Sequence, residues 1–224
     1  MQFIYLLLAL SFLNTSQNSY QELSREVYEV QSIELDSIAY YTILPYKTEL
    51  DAQMNHVLCH SKNFMDKGKP ESLLGNWISD ASLNQAQKLV EWPIDLAFFN
   101  SGGLRSNLPK GAITKRDLYQ LMPFENELVV LQLSAEEFED LKTYFTKTEG
   151  QPMGISSNYS DNKSLYYILT TDYLANGGDK MSFFKDKHQH HVGLKMRDAL
   201  IQECLIKDTI YSELDQRHLR IWHD

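Results

Sequence analysis

Two loops in this chain place an asparagine beside successive glycines where a strand reads as ending: "NSGGLR" at 100–105 and "NGGDK" at 176–180. Glycine there lets the backbone turn sharply or come close to a ligand, which a Cβ would prevent. The stretch before the first loop, 94–99, is apolar and aromatic enough for a buried strand ending at Asn100, and before the second a strand over 166–169 runs into the loop. Taken alone, the first loop is equally an ordinary turn followed by a solvated Arg105.

Periodicity fills the rest of the chain with alternating elements. Residues 28–37 alternate as a strand, and 43–65 carry helical spacing in Leu50, Met54, Val57 and Leu58. A second helix over 71–90 puts Leu74, Ile78 and Ala81 on one face. A strand within 123–134 alternates Val129, Leu131 and Leu133, and it leads into a helix with Ser134 as N-cap and Glu137 at the capping-box position. Residues 195–206 form a late helix. Interleaved strands and helices, some strands adjacent, predict a mixed α/β (α+β) layer fold rather than a bundle or a sandwich.

A chain of 224 residues that is 43% hydrophobic can bury a substantial core. Its 21 basic and 30 acidic residues give a net charge of −9, which opposes a broad electrostatic grip on a nucleic acid polymer or an anionic membrane. A small anion can still bind locally. The apolar run 3–13 is too short to span a bilayer and is followed by small polar residues, so 1–18 reads as a signal peptide and the chain as exported, periplasmic or extracellular. Residues 19–36 then form a lead-in strand and 37–224 one domain. Cys59 and Cys204 are too few for a disulfide framework and read as two buried thiols.

If the two glycine loops meet, Arg105, Asp179, Phe124 and Tyr173 surround one cleft. Aromatic faces suit a planar ring, a carboxylate suits ribose hydroxyls and a guanidinium suits phosphate. That combination points to a nucleotide.

The motifs "GNWISDA", "FFNSGGLR", the G-x-I-T-x-x-D-L pattern from Gly111 to Leu118, "MPFENELVVLQLS", "TTDYLANGGD" and the terminal "RDALI…LDQRHLRI" occur in one order. In that order they resemble the C-terminal domain of the 5′-nucleotidase/UDP-sugar hydrolase family over residues 37–221. The resemblance implies that family's layered sheet with flanking helices. It further implies that Asn100 and Arg105 contact substrate phosphate and nearby polar groups. Phe124 and Tyr173 would sandwich the base, and Asp179 would bind ribose hydroxyls. Gly102 and Gly103, with Asn176, Gly177 and Gly178, form the cores of the two loops and complete the expected substrate site. The chain departs from the family pattern in three places. Lys67 and Lys69 stand where an arginine is usual, Tyr173 where phenylalanine is common, and Lys180-Met181 replace a glycine-aromatic pair. On the sequence, only the ring face of Tyr173 matters, so Tyr173→Phe is expected to change little.

In the full family a separate N-terminal metallophosphatase domain with two metal ions performs hydrolysis, so this chain resembles the substrate-holding half. The resemblance therefore implies no catalytic residue and no cofactor in the chain, with divalent metals expected only in a metallophosphatase partner. The chain would recognise a nucleotide or nucleotide sugar and position it for phosphate-ester hydrolysis in nucleotide catabolism. The alternative is a non-catalytic nucleotide- or nucleoside-binding protein. His56 and His60, at i and i+4 of the predicted first helix, could share a face, but no third donor set with a general base accompanies them. His188, His190 and His191 read as a solvated loop.

Overall fold

The computed structural model describes residues 36–221. The chain divides into two compact units, Met1–Thr42 and Ile43–Asp224. Of the first, residues 36–42 are described and begin helix α1 (Ser37–Met54), which buries none of its side chains. The strand expected over 28–37 and the leader at 1–18 lie outside the described residues, apart from Asp36 and Ser37.

The second unit continues with β1 (Val57–Ser61), α2 (Leu73–Gln87), β2 (Leu96–Phe98), β3 (Gly111–Thr114), α3 (Lys115–Leu121), β4 (Glu127–Ser134) and α4 (Ala135–Lys147). There follow β5 (Met153–Ile155), β6 (Leu165–Thr171), α5 (Asp172–Ala175), β7 (Gln189–Lys195), α6 (Met196–Ile206), β8 (Thr209–Ile210) and α7 (Arg217–Ile221). Single 3₁₀ turns occupy Ser101–Gly103, Gly178–Lys180 and Ser182–Phe184. Strands and helices form a mixed α/β fold, as the interleaved pattern predicts.

Two sheets organise it. The larger has strand order β5-β2-β6-β4-β7 and the smaller β3-β1-β8. In the larger sheet β2 and β6 run parallel, while β4 pairs antiparallel with β6, Leu131 opposite Ile168, and with β7 on its other side. Both faces are buried along β2, β4 and β6, so these strands are apolar at successive positions rather than at alternate ones. Leu128 and Val130 of β4 join Ala97, Leu169 and the buried sides of α2 and α6 in one core. Val129, Leu131 and Leu133 point the other way and pack with Leu96, Phe98, Ile168 and the Phe138 and Leu141 side of α4. The two central strands thus deliver their ends, and the loops that follow them, from between two packed layers.

Local signals hold where the sequence carries caps. Ser134 accepts from the Glu137 N–H at 3.2 Å and Glu137 Oε2 accepts from the Ser134 N–H at 2.7 Å, closing the expected capping box of α4. Thr114 and Asp117 do the same for α3. Leu74, Ile78 and Ala81 of α2 are buried as its spacing predicts.

Three expectations need correction. The first predicted helix stops at Met54, and Val57 and Leu58 belong to β1. Pairing with β3 and β8 supplies that backbone with inter-strand hydrogen bonds, and the strand outcompetes an amphipathic pattern that has no layer to pack on. The histidine-rich stretch is not a loop: Gln189–Lys195 forms β7, which completes the edge of the larger sheet against β4. The stretch after β6 first makes one helical turn, α5, capped by Thr171, before the glycines. Cys59 and Cys204 are free and buried in the same core.

Candidate functional site

The first glycine loop leaves the end of β2. Asn100 precedes the 3₁₀ turn Ser101–Gly103, and its side-chain Nδ2 donates to Asp179 Oδ2. Gly103 leaves room for that contact. A Cβ on Gly103 would sit 3.1 Å from Asn100 Oδ1, and one on Gly102 would sit 3.5 Å from Asn100 Nδ2 and 3.6 Å from Asp179 Oδ2. Neither glycine has a positive φ; close approach accounts for Gly103, whereas a Cβ on Gly102 would make only ordinary contacts. The loop is fixed from outside by Gln151, whose Oε1 accepts from the Ser101 N–H at 2.8 Å and from its hydroxyl at 3.1 Å. The Arg105 N–H donates to the Leu121 carbonyl at 2.9 Å, and Lys67 Nζ donates to the Leu104 carbonyl at 3.0 Å. Lys67 therefore braces this loop, whereas Lys69 reaches the Thr148 carbonyl.

Arg105 and Phe124 meet across the loop. The Arg105 guanidinium carbon lies 5.5 Å from the centre of the Phe124 ring, within cation–π range. Phe124 is 39% exposed although it is a large aromatic next to a buried sheet. Its segment is held by Arg197 of α6, a buried guanidinium that donates to the Met122 carbonyl at 3.1 Å and the Phe124 carbonyl at 3.3 Å and pairs with Glu125. Arg197 also lies 4.1 Å from the Tyr119 ring centre. Glu125, salt-bridged by Lys195 and Arg197, has its carboxyl pulled down from the usual range to about 2. The sequence marked this arginine only as part of a terminal motif; its role as the anchor of Phe124 comes from packing.

The second loop follows α5. Asn176 caps that helix, its Nδ2 donating to the Asp172 carbonyl at 2.8 Å, and Gly177 takes φ +90°, a conformation suited to glycine. Gly178 is required by proximity: a Cβ there would lie 2.5 Å from Cε1 of Tyr173. Tyr173, 47% exposed, folds back so that its hydroxyl donates to Asp179 Oδ1 at 2.9 Å.

Asn100, Gly102, Gly103 and Arg105 of the first loop and Tyr173 and Asp179 of the second line a single cleft of about 360 Å³ with Phe124. Asn176, Gly177 and Gly178 do not line it; they shape the turn that carries Asp179 into it. Asn126 also lines the cleft and was missed. Its position two residues after Phe124 was the available signal, since the intervening Glu125 turns away to Lys195.

Among the described residues the histidines diverge rather than converge. Along β1 the exposed His60 and the buried Cys59 face opposite sides, and His56 precedes the strand. In β7, His190 packs edge-on against Trp92 with centres 4.6 Å apart, while its neighbour His191 turns to Glu127 at 3.1 Å. Donors that diverge in this way do not fit the four-ligand shell of a structural zinc or the three-ligand shell of a catalytic one. No group of three or more His, Cys, Asp or Glu side chains suited to a metal ion occurs among the described residues.

The chain is thus an α/β domain of two sheets with an open cleft lined by aromatic, amide, guanidinium and carboxylate side chains. Residues 56–151 match the family model described as 5′-nucleotidase, C-terminal domain. The trifunctional nucleotide phosphoesterase protein YfkN of Bacillus subtilis (strain 168) is 27% identical over 174 residues, covering 74% of this chain and 11% of the relative. A 5′-nucleotidase of Vibrio cholerae is 25% identical over 201 residues, covering 79% of this chain and 35% of its own. Among solved structures, a 5′-nucleotidase precursor from Thermus thermophilus superposes with a TM-score of 0.66 at 22% identity, over 80% of this chain and 42% of that one. The last likeness concerns the fold. This chain thus spans less than half the length of each of these relatives.

Proposed function

We propose that this chain recognises a nucleotide or nucleotide sugar and presents its phosphate ester for hydrolysis by a metallophosphatase partner, which supplies the divalent metals. The observation that carries the reading is the convergence on one cleft of Asn100 and Arg105 with Asp179, from two loops nearly eighty residues apart, together with Phe124 and Tyr173. Exposed rings stack a base, worth about 1–3 kcal/mol per base. The Asp179 carboxylate accepts from ribose hydroxyls, and Arg105 faces the phosphate end. A cleft of about 360 Å³ falls within the range of small-molecule sites. The names of the curated relatives, a nucleotide phosphoesterase and a 5′-nucleotidase, support the same substrate class.

In this reading the chain contributes positioning: holding base and ribose aims the scissile phosphate at the partner's metals. We place the pair outside the cytoplasm, in nucleotide catabolism. No helix among the described residues is long and apolar enough to cross a membrane.

The test is calorimetric titration with AMP, adenosine and UDP-glucose, with phosphate release assayed with and without a purified metallophosphatase and divalent metal. The expected result is nucleotide binding by the chain alone, with phosphate release only when the partner is present. Binding that leaves the partner's turnover unchanged would favour a non-catalytic nucleotide binder. Binding of none of the three ligands would remove the reading. Arg105→Ala should weaken AMP more than adenosine, by about 1.5–3 kcal/mol for a hydrogen bond to a charged group.

A further inference from the structure

Asp179 sits at φ 50°, ψ 33°, in the left-handed region that a residue with a Cβ adopts reluctantly, and Lys180 follows at φ 67°. Two consecutive non-glycine residues in that conformation need an outside hold. The hold comes from a different element. Tyr144, near the end of α4, donates its hydroxyl to the Asp179 backbone carbonyl at 2.9 Å. The Tyr173 hydroxyl donates to Asp179 Oδ1 and accepts from the Asp179 N–H at 3.3 Å, and Asn100 donates to Oδ2. Asp179 is therefore gripped at its carbonyl, its amide and both carboxylate oxygens.

Tyr144 does not line the cleft. Its ring packs on Phe183 and Phe98, with centres 5.7 and 6.4 Å away, so α4 and the second core layer fix where its hydroxyl points. Burial first, then the negative charge of Asp179 and the neighbouring Tyr173, raises its pKa. The hydroxyl stays a donor at neutral pH.

We propose that Tyr144 is a positioning residue of the nucleotide site, holding the Asp179 carbonyl so that the strained turn presents the carboxylate to the ribose hydroxyls. The proposal deepens the nucleotide reading and rests on it for the identity of the ligand, though not for the hold on Asp179. It links the α4 layer of the core to the cleft through one hydrogen bond.

Tyr144→Phe tests it, since the ring contacts remain and only the hydroxyl is lost. Two readouts separate the parts of the claim. In the ligand-free chain, amide hydrogen exchange across 178–181 should accelerate by roughly three- to tenfold, the loss of one net hydrogen bond, while Thr143→Ala on the exposed side of the same helix leaves it unchanged. Affinity for adenosine should fall by a similar factor of roughly three to ten, with 2′,3′-dideoxyadenosine unaffected. A purely structural tyrosine would weaken both ligands alike, and that result would overturn the proposal. Unchanged exchange would overturn it too, whatever the ligands do. If the native chain binds no nucleoside but exchange accelerates, the hold on Asp179 stands and the nucleotide reading is what fails.

Discussion

Removing the Asp179 side chain takes away the acceptor proposed for the ribose hydroxyls and also the partner of Asn100 and Tyr173. Asp179→Ala should lower affinity for AMP and adenosine together and spare 2′,3′-dideoxyadenosine, which lacks the hydroxyls; equal losses for all three in a titration would contradict the assignment. Gly178→Ala acts on the same site by crowding. Its Cβ would lie 2.5 Å from Tyr173 Cε1 and 2.6 Å from the Tyr173 carbonyl oxygen, so the ring must leave its place. Nucleoside affinity should fall by about tenfold or more, on the scale of one lost stacking contact. Tyr173→Phe, neutral if only the ring face counts, is now expected to weaken adenosine, because the hydroxyl holds both the Asp179 carboxylate and its amide. Titration of that variant against the native chain decides between the two expectations.

At the scale of elements, the helix that carries Tyr144 is set by its own first turn. Ser134→Ala opens the capping box of α4 and should cost about 1 kcal/mol in urea denaturation, with little change in the slope against denaturant. Leu131→Ala lies on the strand between the two cores and should cost about 2–5 kcal/mol, as a buried leucine truncated in a packed layer does. A cap and a buried strand residue were both legible in the sequence because each acts on its immediate neighbours. The β1 region was not. Leu50, Met54, Val57 and Leu58 keep helical spacing across a point where the backbone changes from helix to strand. That change depends on β3 and β8, whose residues come more than fifty positions later. The same holds for β7, whose histidines read as polar loop until β4 supplies a partner.

Across the whole molecule, acid should loosen the site before it unfolds the cores. Glu125 is held low by Lys195 and Arg197, from an ordinary 4.5 to about 2. A depressed carboxyl stabilises the fold above its unfolded value, and that stabilisation is lost as pH falls from about 4.5 toward 2. Glu137, lowered by Lys187, and Asp51, lowered by Lys47 and Arg116, act in the same direction, whereas burial raises Asp80 and opposes them. Melting temperature should therefore decline through that window. Glu125→Gln should flatten part of the decline, and salt should reduce the difference because Glu125 is solvent-exposed. Arg197 would remain on the Met122 and Phe124 carbonyls in that variant, so nucleotide binding at neutral pH should change little.

The sequence by itself determined the alternation of strands and helices, the caps, and the residue types that converge on the cleft, because these are written in local spacing and in the glycines that shape the two loops. It pointed to Asn100, Arg105, Phe124, Tyr173 and Asp179, and these five line one cleft. Tertiary structure alone decided how they are held. Arg197 reaches the Phe124 segment from α6, Tyr144 reaches Asp179 from α4, and Lys67 reaches the arginine loop from the segment before α2. Each is a hydrogen bond from a side chain to a backbone carbonyl at least thirty-five residues away. A backbone acceptor carries no side-chain signature, so nothing in the spacing of either partner announces such a bond; it exists only once the layers have packed.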